Sequence, residues 1–244
     1  ARAAGKANHP RVAEVYALNF SNGHPYLVME LVAGEDLAQK LADGGALGER
    51  AVLRTALDVA EGLSALNREG LVHGDIKPSN IVLDRDGNAK LVDFGLSGMS
   101  RRDETGGLVG TPDYIPPELL QGGTDTHHGD LYSFGATLYH LLSGRPPFEG
   151  ETPSDIIRAR LTQRPPPLAA VAPGISYATC SLVTSLLEAD PAKRPENSKA
   201  VAAAIRQALV LLDTPAVPKP GFLRRVGTAL SLVGRVFAPC AAGT

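Results

Sequence analysis

From Gly48 to Glu69, apolar residues recur every three or four positions: Val52, Ala56, Ala60, Leu63 and Leu66. That period predicts an amphipathic helix with one buried face, and Gly70 fits its stop. From Asp130 to Ser143 the apolar positions Leu131, Phe134, Leu138, Leu141 and Leu142 fall on more than one side, so this helix is expected at the centre of the molecule, ending at Gly144. Weaker helical patterns cover Ser154–Leu161, Tyr177–Ala189 and Ser198–Leu212, with the proline-rich stretch 164–173 between the first two. Strand formers fill Val12–Phe20 and Tyr26–Leu31, and Asn22-Gly23 between them is a hairpin signal. Ala33-Gly34 is read as the break after that hairpin, and Asp36 as the cap of a short helix reaching Asp43. Leu71-Val72 is read as a short buried strand. Ile81–Leu83 and Ala89–Val92 form a second predicted hairpin, with Asp86-Gly87 in its turn.

The remaining segments lack such periods. Ala1–Ala7 is alanine-rich without a preceding cap and reads as the tail of a helix, ended by Asn8-His9-Pro10. Ser97–Gly110 is polar and Gly-rich and is expected to be a mobile loop. Asp213–Pro220 holds three prolines and reads as a linker. Phe222–Phe237 could form a basic amphipathic helix, more readily a packing helix or frayed tail than a membrane-surface element. No internal repeat is visible.

Composition narrows the classes. The chain has 244 residues, 43% hydrophobic and 20% charged, as in ordinary globular proteins. A net charge of −2 gives no reason to expect nucleic-acid or membrane attraction. Cys180 and Cys240 fit no metal spacing and read as reduced thiols. There is no signal-peptide pattern, and the apolar run Val226–Pro239 is interrupted by Arg235 and too short to span a bilayer. His127-His128 are adjacent, so on a helix they face different ways and make a poor metal pair.

The chemistry concentrates in His73-Gly74-Asp75-Ile76-Lys77-Pro78-Ser79-Asn80, followed by Asp93-Phe94-Gly95. Phosphoryl transfer asks a protein chiefly for positioning and for neutralisation of phosphate charge. Asp75 can accept a hydrogen bond from an attacking hydroxyl and orient it. Lys77 can reach a transferring phosphate. Asn80 and Asp93 are hard oxygen donors suited to Mg²⁺, and Gly95 permits a sharp turn after Asp93.

In this order and spacing, with a hairpin between, the two stretches resemble the catalytic loop and metal-binding turn of a eukaryotic-like serine/threonine protein kinase of the kind bacteria carry. The resemblance covers about Ala1–Leu212. It implies an α+β, two-lobe kinase fold with a truncated β-rich N-lobe, residues 1–32 including the hinge, and a complete, mainly helical C-lobe, residues 33–212. A linker at 213–221 and an amphipathic or disordered tail at 222–244 would follow. Leu27–Val32 resembles the hinge strand, which places Met29 as gatekeeper, the Glu30 and Val32 backbones towards adenine, and Val82 beneath the ring. Gly110–Glu118 resembles the end of the activation segment, with Pro116 where the family has alanine. Asp130–Gly135 resembles the start of the central helix, whose Asp holds the catalytic-loop backbone. Asp190–Pro195 resembles the motif whose arginine pairs with that segment's glutamate, here Arg194 with Glu118. Thr111 would bond Asp75 and Lys77; Ser100 and Thr105 would be regulatory phosphosites. His73, Phe94 and Gly95 take structural places.

The implied cofactors are ATP and Mg²⁺. The implied partners are protein substrates with Ser/Thr acceptors and a homodimer for autophosphorylation, with no nucleic acid and no membrane span within the chain. The implied location is cytoplasmic, including as the cytoplasmic part of a membrane-anchored kinase. Two departures qualify this. Gly74 replaces the arginine that would receive a phosphorylated loop. No Gly-rich loop, strand lysine or helix glutamate precedes the hinge, and the chain starts at Ala1. It is therefore expected to be an N-terminally incomplete kinase domain, inactive alone, whose first hairpin leaves an exposed edge and apolar faces. A pseudokinase scaffold is the alternative. A small-molecule kinase of the aminoglycoside or choline phosphotransferase type shares His-Gly-Asp and Asn, but lacks counterparts of 110–118, 130–135 and Arg194.

Overall fold

The computed structural model describes residues 8–22, 24–94 and 112–214. The expectations for Ala1–Ala7, Gly95, the 97–110 loop with Ser100 and Thr105, Thr111, the tail and Cys240 lie outside them.

Two strands open the described chain. β1 (Val15–Ser21) pairs antiparallel with β2 (His24–Met29), in a register joining Leu18 to Leu27 and Val15 to Met29. β3 (Gly34–Asp36) leads straight into α1 (Leu37–Gly44), and the Asp36 carboxylate caps α1 by accepting from the Gln39 amide at 2.9 Å. α2 (Glu49–Arg68) follows; Val52, Leu53, Ala56, Val59, Ala60, Leu63 and Leu66 form its buried face. β4 (Ile81–Asp84) and β5 (Ala89–Leu91) form the second hairpin, and Gly87 takes the positive φ of 80° that its turn requires. The second sheet has the order β3-β4-β5. Residues 11–13 run beside its edge, where the Ala13 amide donates to the Leu91 carbonyl and the Leu91 amide to the Arg11 carbonyl.

Helices make up the rest: α3 (Pro117–Leu120), α4 (His127–Ser143), α5 (Pro153–Thr162), α6 (Leu168–Val171), α7 (Tyr177–Leu186) and α8 (Ser198–Asp213). α4 is buried along almost its whole length, packs on α2 and α7, and ends at Gly144 in the left-handed region. A methyl group on its Gly135 would meet the Leu186 Cβ at 2.6 Å, so glycine sets the close approach of α4 to α7.

β1 starts three residues after the expected Val12, β2 covers His24–Met29 instead of Tyr26–Leu31, and four further features differ from the sequence reading. Gly34 opens a strand instead of breaking one, because β4 offers a partner: Gly34 lies opposite Asp84, and a side chain there would collide with the Leu83 carbonyl. Leu71-Val72 is half-buried and forms no strand; the Leu71 amide bonds back to Leu66 at the end of α2, and the next amides go to a side chain on α4. α4 starts three residues earlier than Asp130, capped by Thr126. α7 stops at Leu186, and the carbonyls of Glu188 and Ala189 beyond it accept from Arg194.

Candidate active site

The loop from His73 to Asn80 has little backbone ladder of its own, so side chains fix it. Asp130, 2% exposed on α4, accepts from the His73 amide at 2.8 Å and the Gly74 amide at 2.7 Å. The buried His73 ring contacts the Val92 carbonyl through Nε2 at 3.1 Å and accepts the Asp75 amide through Nδ1 at 3.2 Å. A carbonyl can only accept, so Nε2 carries the proton and Nδ1 is the acceptor. Gly74 has φ +79°, a conformation L side chains rarely adopt.

Asp75 is the focus of this loop. Its Oδ2 accepts from Lys77 Nζ at 2.8 Å and from Asn80 Nδ2 at 2.9 Å, and Asn80 Nδ2 also donates to the Asp75 carbonyl at 2.8 Å. The Asn80 nitrogen is engaged twice, and its Oδ1 takes no hydrogen bond among the described residues. The Val92 amide bonds the Asn80 carbonyl at 3.0 Å, tying the loop to the chain entering Asp93. Asp93 is exposed with φ +60°, while Phe94 beside it is 1% exposed in the core. Burial of the ring and exposure of the acid together aim Asp93 outwards. The donor set of one carboxylate and one amide oxygen suits Mg²⁺, which is commonly held by one or two carboxylates plus phosphates. Among the described residues, no cluster of three or more His, Cys, Asp or Glu forms an all-protein metal cage.

The expected hinge residues lie at the end of β2. Met29 is half-buried against the core, Glu30 donates its amide to the Glu14 carbonyl at 2.8 Å, and Val32 is half-buried. The Glu30 carboxylate pairs with Lys90 on β5, and that hydrogen bond, above all, lowers its pKa. Val82 sits on β4 between Asp36 and Lys90.

A second set of residues holds segment 112–118. Arg194 has a side chain with no exposed surface, and all five of its N–H groups are used. Nη1 and Nη2 fork onto Glu118 at 2.7 and 2.8 Å, and the rest reach the carbonyls of His128, Glu188 and Ala189. The Tyr114 hydroxyl meets His140 Nδ1 at 2.7 Å, and Ser133 Oγ donates to the Tyr114 carbonyl at 2.8 Å. Burial pushes the Tyr114 hydroxyl up and the His140 ring down in pKa. Thr137 Oγ1 lies 3.4 Å from the Ile76 carbonyl. Asp130, Ser133, Thr137 and His140 thus stand three, four and three positions apart on α4. They form a polar stripe on an otherwise apolar helix, and it joins loop 73–80 to segment 112–118.

Sequence reasoning missed most of that stripe, although polar residues at helical spacing on a buried helix are a usable signal. It also missed Arg160, which is buried against segment 112–115; Arg158-Ala159-Arg160 reads in sequence as a solvated helix face. His127 accepts the Ser198 amide at 3.2 Å and links α4 to α8.

The comparisons with known proteins agree with this geometry. The protein kinase domain family matches residues 2–205. The serine/threonine-protein kinase pkn2 of Myxococcus xanthus is 35% identical over 93% of this chain and 29% of its own length. The serine/threonine-protein kinase PknL of Mycobacterium tuberculosis is 36% identical over 90% of this chain and 56% of its own. The chain therefore spans between about a third and just over half the length of these relatives. Among solved structures, the crystal structure of Rad53 1–466 in complex with AMP-PNP superposes with a TM-score of 0.69 at 27% identity, covering 84% of this chain and 53% of that one. Its fold is thus the α+β fold of protein kinases, and the chain belongs to the protein kinase domain family.

Proposed function

We propose that this chain is the catalytic domain of a serine/threonine protein kinase, transferring the γ-phosphoryl group of ATP to hydroxyls of protein side chains. The observation that carries the reading is the Asp75–Lys77–Asn80 cluster beside the outward-facing Asp93. Asp75 Oδ2 is occupied by Lys77 and Asn80, which leaves Oδ1 to accept the hydrogen bond of an incoming hydroxyl and align it for attack. Lys77, held beside that carboxylate, places positive charge where phosphate charge builds up. Asn80 Oδ1 and Asp93 would hold Mg²⁺, which supplies neutralisation of phosphate charge.

Met29, the Glu30 and Val32 backbones and Val82 would form the purine-facing wall. The relatives' names, and the nucleotide analogue in the Rad53 structure, support ATP as donor and Ser/Thr as acceptor. The catalytic unit would be residues 1–212, a proposal supported by the grouping of Ala1–Leu212 as one compact unit. No helix among the described residues is long and apolar enough to cross a membrane.

The test is ATP- and Mg²⁺-dependent phosphate transfer by the full-length protein that carries this chain. Asp75→Asn should lower the rate by about 10²- to 10⁴-fold, the range for loss of a positioned acid–base group, with the unfolding midpoint nearly unchanged. Transfer that survives this substitution would remove Asp75 from the reaction. Absence of transfer in the wild-type protein would favour the scaffold alternative.

A further inference from the structure

Residues of α4, α5 and α7 line a cavity of about 630 Å³, within the size range of small-molecule sites. Tyr139, Phe148, Leu168, Val183 and Leu187 give it apolar walls, joined by the proline run 165–167. The Tyr139 hydroxyl donates to the Pro166 carbonyl at 3.1 Å, which holds the ring against that run. Charged side chains line the cavity as well. Arg160, Arg164 and Lys193 face Glu188 and Asp190, leaving one positive charge in excess. Asp190 is already engaged, because its carboxylate accepts from the Ala192 amide at 3.0 Å.

Of the three cations, Arg164 and Lys193 are exposed, whereas Arg160 is 3% exposed. Its Nη1 donates to the carbonyls of Pro112 and, at 2.7 Å, Ile115, and its Nη2 to that of Asp113 at 2.6 Å. Its Nε is buried without a hydrogen-bond partner, and among the described residues no carboxylate lies within ion-pair distance of the guanidinium. Burial lowers its pKa, and Tyr132 and Asp113 oppose that only in part. A buried donor left unmatched costs free energy that an acceptor recovers. The Glu188 and Ala189 carbonyls nearby in the lining are taken by Arg194.

These features select a class of ligand. Aromatic and aliphatic walls suit a flat apolar body that packs on the Tyr139 and Phe148 rings. The unmatched Nε and the single excess positive charge suit one negative charge on planar acceptor oxygens, which is a carboxylate. A phosphate monoester carries about two negative charges and would be repelled by Glu188 and Asp190. We propose that this cavity binds a small aromatic monocarboxylate, with its ring among Tyr139, Phe148 and Leu187 and its carboxylate accepting from Arg160. Neither Asp75 nor Asp93 lines the cavity, and the site stands independently of the kinase reading.

The test is calorimetric titration of the full-length protein with 2-naphthoate, its neutral amide 2-naphthamide, and 2-naphthyl phosphate. AMP-PNP and Mg²⁺ are present throughout, so that the proposed purine wall is occupied. The naphthoate should bind saturably and about tenfold more tightly than either of the others, the factor for roughly one charged hydrogen bond. Arg160→Met should weaken the naphthoate about tenfold and leave the amide unchanged. Lys193→Gln, at an exposed position, should weaken it no more than about twofold. Thr184→Trp fills the cavity from an exposed position on α7 and should abolish binding of all three with the unfolding midpoint unchanged. If Arg160→Met unfolds the protein, the ratio of acid to amide and Thr184→Trp still decide. Equal binding of acid and amide would mean an apolar cavity only and overturns the proposal. So does tighter binding of the phosphate, naphthoate binding that survives Thr184→Trp, or no saturable binding.

Discussion

The helical body and the β1–β2 hairpin are held in opposite ways. In the body, α4 is buried on nearly every side, and the buried polar groups of Arg194 and Asp130 are matched donor to acceptor, whereas Arg160 Nε is buried without a partner among the described residues. The hairpin exposes Tyr16, Phe20, Tyr26 and, just past it, Leu31 at 92%. It meets the body through a narrow seam: residues 11–13 along Leu91, the Arg11–Asp58 pair at 3.0 Å, and Glu30 with Lys90. The difference teaches where stability and function reside. Loop 73–80 is positioned from below, by α4. The hairpin supplies the proposed purine wall while contributing little to the hold on that loop.

The largest effect expected from this contrast comes from Glu118→Ala. It leaves the fully buried Arg194 guanidinium without its carboxylate, and breaking a buried pair from one side costs about 3–5 kcal/mol. Urea unfolding reads that loss, and a value near zero would mean the body is not held as described. Next is Gly62→Ala on α2, where a methyl group would meet the Arg11 carbonyl at 2.9 Å and Leu91 Cδ1 at 3.0 Å. Overpacking at this seam should cost about 1–3 kcal/mol, with hydrogen exchange accelerated first in the hairpin.

Acid should act on the body more gradually. Burial is the main cause lowering the pKa of both His127 and His140 below 6.5. For His127 the neighbouring His128 adds to the lowering, and for His140 Asp113 and Glu149 partly oppose it. A depressed folded pKa means that the unfolded chain binds the proton more readily. Their contribution is therefore complete above about pH 6.5 and is lost as pH falls from there through the folded values. Unfolding midpoints across pH 7 to 5 should decline, and His127→Gln should flatten the decline. The smallest effect belongs to Phe20→Ser on the hairpin, 69% exposed. Stability should change by no more than about 0.5 kcal/mol, while self-association, measured by light scattering, should fall.

Much of this was legible in the sequence, for reasons that can be named. α2 and α4 show their burial in the spacing of apolar residues, and both hairpins announce their turns through Asn-Gly and Asp-Gly. Asp75, Lys77 and Asn80 lie within six residues, so the contacts among them are local and short-range order suffices to bring them together. Glu118 and Arg194 are 76 positions apart and were paired only through the family resemblance. What stayed hidden depends on partners distant in sequence. Gly34 becomes a strand only because β4 lies beside it, and Leu71-Val72 fails to become one because the Leu71 amide turns back to Leu66 and the His73 and Gly74 amides that follow go to Asp130. Arg160 is invisible because nothing local distinguishes a cation that will be buried against carbonyls 45 to 48 positions away from one on a wet helix face.

The central claim, that the loop carried by α4 directs phosphate onto hydroxyls of proteins, is tested most directly by identifying the phosphorylated atom. The full-length protein would be incubated with Mg²⁺ and γ-labelled ATP in the presence of a protein acceptor and, separately, of small hydroxyl compounds, and the products read by mass spectrometry. The account predicts phosphoserine and phosphothreonine on the protein, lost in Asp75→Asn. Phosphate appearing on the small molecules alone, or on protein irrespective of Asp75, would contradict it.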